Sequence, residues 1–255
     1  MTIQVSSPSQ LENGNGATPS QDSYLSGLIS IRQPLVTDVR QPNLTSALQD
    51  IRDAAADQVR SLSFPSKRDE EWRFTDLSPI RAVNFQPAGT STRSAEWKDA
   101  VQSYLLDEAA GCQLVFVDGQ LNADLSQLDN VPEGVTVTGL AGLGDRPDAA
   151  QSLTTFLNQQ GGLEKTFTAL NTASFTDIAV ILVDKHVVAP SPIQVLFVST
   201  AGDQPIITHP RCLVVAEANS EVTVIEDFVA VGEGTSFTNA VTEISVHDNA
   251  QVHHT

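Results

Sequence analysis

The sequence predicts a mixed α and β fold: a helical N-terminal region followed by strands stacked as a parallel β-helix or solenoid. Three observations predict it. Apolar residues recur at helical spacing up to about residue 171. From about residue 175, short apolar runs take over, with no helix of useful length between them. Finally, a corner-plus-strand unit recurs weakly: APSPIQVLF, ANSEVTVIE and DNAQVHHT begin at residues 189, 218 and 248, 29 and then 30 residues apart. Corners favour Asn and Ser, stacked strands favour Val and Ile, and such repetition marks a solenoid. A plain antiparallel sandwich stays open as the alternative.

The elements follow in order. Residues 1–42 read as a disordered polar tail. NLTSALQDIRDAAADQVRSLSFP carries Leu44, Leu48, Ile51, Ala55, Val59 and Leu62 on one helical face, with Asn43 placed to cap it and Pro65 beyond its end. EWKDAVQSYLLDEAAG gives a second helix stopped at Gly111, and CQLVFVDG a strand and turn. DAAQSLTTFLNQQGG is a third helix, capped by Asp148, and LEKTFTALN a fourth. The strand-like runs are IAVILV (178–183), IQVLFVS (193–199), RCLVVAE (211–217), VTVIEDF (222–228) and NAVTEISV (239–246). Parallel strands in an ordinary doubly wound sheet need crossover helices, which these spacings do not provide. The expected organisation is a tail over 1–42, a helical and mixed region over 43–174, and the first coils of a β-helix over 175–255. The chain stops at QVHHT, inside an expected strand and without a capping unit, as expected either of a fragment of a longer protein or of an edge covered by a partner.

Charge narrows the partners. Against 14 Lys and Arg stand 31 Asp and Glu, a formal net charge of −17. That surface repels phosphate backbones and anionic membranes, so neither nucleic acid nor membrane is expected. No apolar run approaches the roughly 18 residues of a bilayer span. The N-terminus has no basic residue before Arg32, unlike secretory or transit peptides. Two cysteines, Cys112 and Cys212, lie a hundred residues apart, which suits a reducing compartment, and the expected location is the cytoplasm.

Motifs for catalysis do not assemble. QGGLEKTF (160–167) approaches a phosphate loop, but Glu164 stands where that loop needs glycine, so it reads as a helix start. The histidines are His186, His209, His247, His253 and His254. His209 and Cys212 make at most half a tetrahedral metal site, and adjacent His253 and His254 point to opposite faces of a strand. Cys212, within an apolar run, reads as a buried small hydrophobe. No catalytic, cofactor-binding or metal-ligating residue is assigned.

The densest stretch is SKRDEEWRFTDLSP, residues 66–79. Glu70 and Glu71 suit the start of a helical turn, Trp72 and Phe74 offer apolar area to pin the segment, Arg73 offers a fork for a carboxylate, and Thr75 and Asp76 can bond local backbone. It contains no nucleophile with a base. Its physical sense is anchoring.

These residues also carry a resemblance. Pro65 and Lys67 followed by Glu70, Glu71, Trp72, Arg73, Phe74, Thr75, Asp76 and Leu77 resemble the segment near the start of SufD proteins, components of SUF iron–sulfur cluster assembly. FTALNTASFTDIAVILVDKHVVAPSPIQVLFVS (167–199), PRCLVVAEANSEVTVIEDFV (210–229) and TNAVTEISVHDNAQVHHT (238–255) are similar to that family's later stretches, so the resemblance runs from about Leu44 to the end. It implies a right-handed parallel β-helix after the helical region. It also implies a non-catalytic scaffold that pairs with a SufB-like paralogue and binds a SufC-like ATPase, as SufBCD. An iron–sulfur cluster belongs to that complex, and no cofactor is assigned to this chain. Family members continue through further coils into a C-terminal helical segment that docks SufC, and no position here matches it. Competing readings are a polysaccharide-active β-helix enzyme and a generic β-solenoid interaction module.

Overall fold

The computed structural model describes residues 22–36, 41–89, 94–144 and 146–255. The first element is a helix, α1 (Ser23–Ser30), lying where the polar tail was expected. Asp22 caps it by accepting hydrogen bonds from the Tyr24 and Leu25 amides, and Leu25, Leu28 and Ile29 are buried. Three apolar residues on one face suffice here because other helices cover them. Residues 1–21 of the expected tail lie outside the described residues.

Helix α2 (Pro42–Ser61) buries Leu48, Ala55 and Val59 of the stripe read from the sequence, and Ala56 besides, while Leu44, Ile51 and Leu62 of that stripe are half-buried. Its N-cap is Gln41 rather than Asn43, because Pro42 takes the first helical position, where its missing N–H costs nothing. After α3 (Ser78–Arg81) and a two-residue strand β1 (Gln86–Pro87), α4 (Ser94–Gln102) stops well short of Gly111. Gln194 draws the chain away from helical geometry there, accepting from the Leu106 amide at 3.0 Å and donating to the Tyr104 carbonyl at 2.8 Å.

Strand β2 (Gln113–Val117) turns tightly into β3 (Gln120–Leu121) through Asp118 and Gly119, whose φ values of 51° and 84° suit a two-residue hairpin. Next come β4 (Val135–Thr138), α5 (Pro147–Phe156) and α6 (Thr166–Ser174). Asp148 sits in the first turn of α5 rather than at its cap, which is Arg146. The remaining strands are β5 (Ala179–Val183), β6 (Ile193–Ser199), β7 (Ile206–Thr208), β8 (Arg211–Ala216), β9 (Glu221–Ala230), β10 (Ser236–Thr238), β11 (Val241–Val246) and β12 (Gln251–His254).

They form three sheets, with strand orders β1-β7-β10, β11-β8-β5-β4 and β12-β9-β6-β2-β3. The right-handed parallel β-helix expected from residue 175 is not what forms. Two sheets are mixed, since β4 runs antiparallel to β5 and β3 antiparallel to β2, and among the described residues no solenoid closes. The result is a mixed α/β fold of parallel and mixed sheets with helices packed on them. Strands from before and after residue 175 share all three sheets, β1 beside β7, β2 beside β6 and β4 beside β5.

The misleading signal has a physical cause. Apolar residues occupy adjacent positions in these strands because both sheet faces are covered. Val180, Leu182, Leu213 and Val215 face α2 and α5, whereas Ile181, Val183, Cys212 and Val214 face the opposing sheet. Likewise Val115, Val117, Leu196 and Val198 pack with Trp97 and Val101 of α4. The repeat itself reflects strand pairing: Glu221 pairs Gln251, 30 residues on, but Ile193 pairs Val224, 31 on. The sequence superposition at 29 is therefore two residues out of register, a slip that preserves which face each side chain takes. His186, Asn219 and Asn249 turn the successive corners with φ near +60° (64°, 61° and 55°), a conformation Asn tolerates.

Candidate functional site

The segment after α2 is closed by its own polar groups. The Asp69 carboxylate accepts from the Ser66 amide at 2.7 Å, and the Asp69 amide donates back to the Ser66 carbonyl at 2.9 Å. That turn launches a short 3-10 turn, Glu70–Trp72. Asp76 accepts from the Ser78 hydroxyl at 2.8 Å and the Ser78 amide at 3.1 Å, which, with Lys67 at 3.4 Å, holds its carboxyl below the usual range.

Two side chains fasten this loop to the body. The Trp72 ring meets Phe167 of α6 edge-on at 5.2 Å, and Phe167 also meets Phe64 and Phe237, so the indole joins a cluster spanning α1, α2, α6 and β10. Leu77 is buried in the same cluster. Glu71 pairs with Lys165 at 2.9 Å, and the Thr166 hydroxyl donates to the Ser63 carbonyl at 2.9 Å. QGGLEKTF thus tethers SKRDEEWRFTDL across 94 residues of chain, a pairing that neither stretch announces. Not every expected anchor is used. Phe74 is 88% exposed, and Arg73 stacks over its ring at 4.5 Å rather than forking a carboxylate. Glu70 and Thr75 are exposed. Between the turn and the start of α6 lies an open groove of about 470 Å³.

The histidines do not converge. His186 is exposed at a corner, His247 packs on Phe156 at 5.3 Å, and His253 lies 4.0 Å from Glu221. His254 bonds Glu226 at 2.6 Å, and that carboxylate also accepts from the Thr242 hydroxyl at 2.7 Å. Burial, with Arg52 nearby, lowers His209 to about 3. Both thiols are buried: burial raises the Cys112 pKa and pushes Cys212, beside Glu226, well above the ordinary value. Among the described residues no group of three or more His, Cys, Asp or Glu could hold a metal ion.

Sequence reading missed the buried polar framework. Arg211 and Glu243 form an ion pair on β8 and β11 with side chains 1% and 6% exposed. Arg211 also donates to Asn171 and Thr172 of α6, each at 3.0 Å, and Glu243 accepts from the Asn158 amide at 2.9 Å. Arg52 on α2 caps the end of α6 through the Ala173 carbonyl at 3.2 Å and reaches the Gln33 carbonyl at 2.6 Å. Asp177 accepts from the Leu140, Ile178 and Leu121 amides, while burial raises its pKa against those three donors. Only a charge set inside an apolar run, as in RCLVV, could have hinted at any of these.

Comparison with known families then places the chain. Residues 36–195 match the model of the SufBD protein N-terminal region, and residues 197–255 that of the SUF system FeS cluster assembly SufBD core domain. The chain belongs to the SufBD family. It is 36% identical over 217 residues to the iron–sulfur cluster assembly SufBD family protein slr0076 of Synechocystis, covering 82% of this chain and 47% of that protein. It is 30% identical over 221 residues to Protein ABCI7, chloroplastic, of Arabidopsis thaliana, covering 84% of this chain and 44% of the relative. The chain therefore spans a little under half the length of these SufBD relatives. No helix among the described residues is long and apolar enough to cross a membrane.

Proposed function

We propose that this chain serves SUF iron–sulfur cluster assembly as a non-catalytic scaffold subunit of the SufD kind. It works beside a SufB-like paralogue and a SufC-like ATPase, in the cytoplasm. The observation that carries the reading is the pair of SufBD matches, over residues 36–195 and 197–255, with a 36% identical relative whose name records cluster assembly. The side chains support a scaffold. Lys165, the one residue resembling a phosphate-loop lysine, is engaged with Glu71, so nucleotide chemistry falls to a partner. Cys112 and Cys212 are both buried in the apolar core between the sheets, so neither presents a thiol at the surface, which fits a cluster held as cargo of the complex. The polysaccharide-enzyme alternative rested on a β-helix and loses its basis with it.

Non-denaturing affinity purification from the native source, read by peptide mass spectrometry, tests the proposal. A SufB-like paralogue and a SufC-like ATPase should co-purify in fixed ratio. Recovery of the chain alone would overturn the assembly role.

A further inference from the structure

The groove beside Trp72 is left unexplained by anchoring alone. Its floor is apolar, formed by Leu62, Pro65, Trp72 and Phe167, and its lining carries four carboxylates against one lysine. Two of the four are already engaged: Glu71 by Lys165, and Asp69 by Ser66. Glu70 and Glu164 remain exposed on the lining, one from each wall. At the same turn, Phe74 stands 88% exposed, the most exposed large hydrophobic side chain among the described residues, with Arg73 stacked on it. An aromatic paired with arginine is the side-chain chemistry that concentrates in protein interfaces.

We propose that this groove is a docking site for a cationic segment of a partner protein, one carrying lysine or arginine together with an aliphatic or aromatic side chain. Charge decides the occupant. A neutral segment covering the floor would take Glu70 and Glu164 out of water unpaired, a burial that outweighs the apolar gain. A basic residue at each position pairs the carboxylates while its apolar neighbour fills the floor. The groove, at about 470 Å³, is too large for one side chain and accommodates a few residues. Phe74 and Arg73, next along the chain from Trp72, offer the segment further contact area beyond the lining. The site does not depend on which member of the complex supplies the segment.

The test is site-specific photo-crosslinking within the native complex, with p-benzoylphenylalanine replacing Phe74 and, as a control on a distant exposed corner, Val188. The crosslinked partner peptide at position 74 should carry net positive charge and an aliphatic or aromatic residue. Glu70→Lys combined with Glu164→Lys should lower the crosslink yield at least about tenfold without changing the circular dichroism, since both residues are exposed. Raising salt should weaken the crosslink likewise. A neutral or acidic peptide, a yield indifferent to charge reversal, or no crosslink at 74 while SUF partners still co-purify would each overturn the site. In the last case the assembly role would stand, whereas a chain purified alone would remove both.

Discussion

Glu243→Ala should be among the most damaging single changes in the β-rich half. It leaves the Arg211 guanidinium, 1% exposed, with only Asn171 and Thr172 as acceptors, while its Nε already lacks a partner. An uncompensated buried charge costs about 3–5 kcal/mol. The Asn158 amide loses its acceptor as well, adding about 1 kcal/mol. The double variant Arg211→Met, Glu243→Leu removes both charges and fills the space, so it should fall within about 1–2 kcal/mol of the parent. Urea unfolding at pH 7, followed by circular dichroism and by the fluorescence of Trp72 and Trp97, measures both differences. Should Glu243→Ala lose less than about 1 kcal/mol, or the double variant fare as badly as the single, the pair would not be the buried charge couple described here.

Other expectations concern the anchor and the buried titratable groups. Trp72→Ala removes a half-buried ring from the Phe167 cluster and should cost about 2 kcal/mol, lowering the melting temperature by about 4–8 °C, whereas Phe74→Ala should stay within about 0.5 kcal/mol. Asp177→Ala strands three amide donors and should cost about 3 kcal/mol or more, with faster hydrogen exchange at Leu121, Leu140 and Ile178 and a milder effect for Asp177→Asn. His209 is about 3 when folded and about 6.5 when unfolded, so only the unfolded chain takes up its proton between those values. Its contribution is therefore intact above pH 6.5 and is lost as pH falls, at most about 2 kcal/mol by pH 5, the ring keeping a little solvent contact. A flatter acid limb in His209→Gln would confirm it, and an unchanged limb would refute it. Asp118 and Asp177, raised by burial, act in the opposite sense in both proteins.

Much of the local structure was legible because it obeys short-range rules. The 3.6-residue stripe of Leu48, Ala55 and Val59 needs only its own spacing, and β6 follows from IQVLFVS in full. β4 and β7 were not read, since four- and three-residue strands are made by their neighbours' hydrogen bonds rather than by a pattern of their own. The α4 end was misjudged for a related reason: Gln194, some ninety residues away, supplies the polar contacts that stop the helix.

What the sequence by itself determined was the family-bearing anchor segment, the acidic character, and the succession of helical then strand-rich regions. Tertiary structure alone decided that the strands form mixed sheets covered by helices, that Lys165 meets Glu71, and that Arg211 and Glu243 are buried together. Periodicity reports which faces of an element are apolar. It does not report what covers those faces, because adjacent apolar residues look alike whether a helix or another sheet lies against them. Pairings between distant charges leave still less trace, since each partner taken alone reads as an ordinary surface residue until the fold removes the water around both.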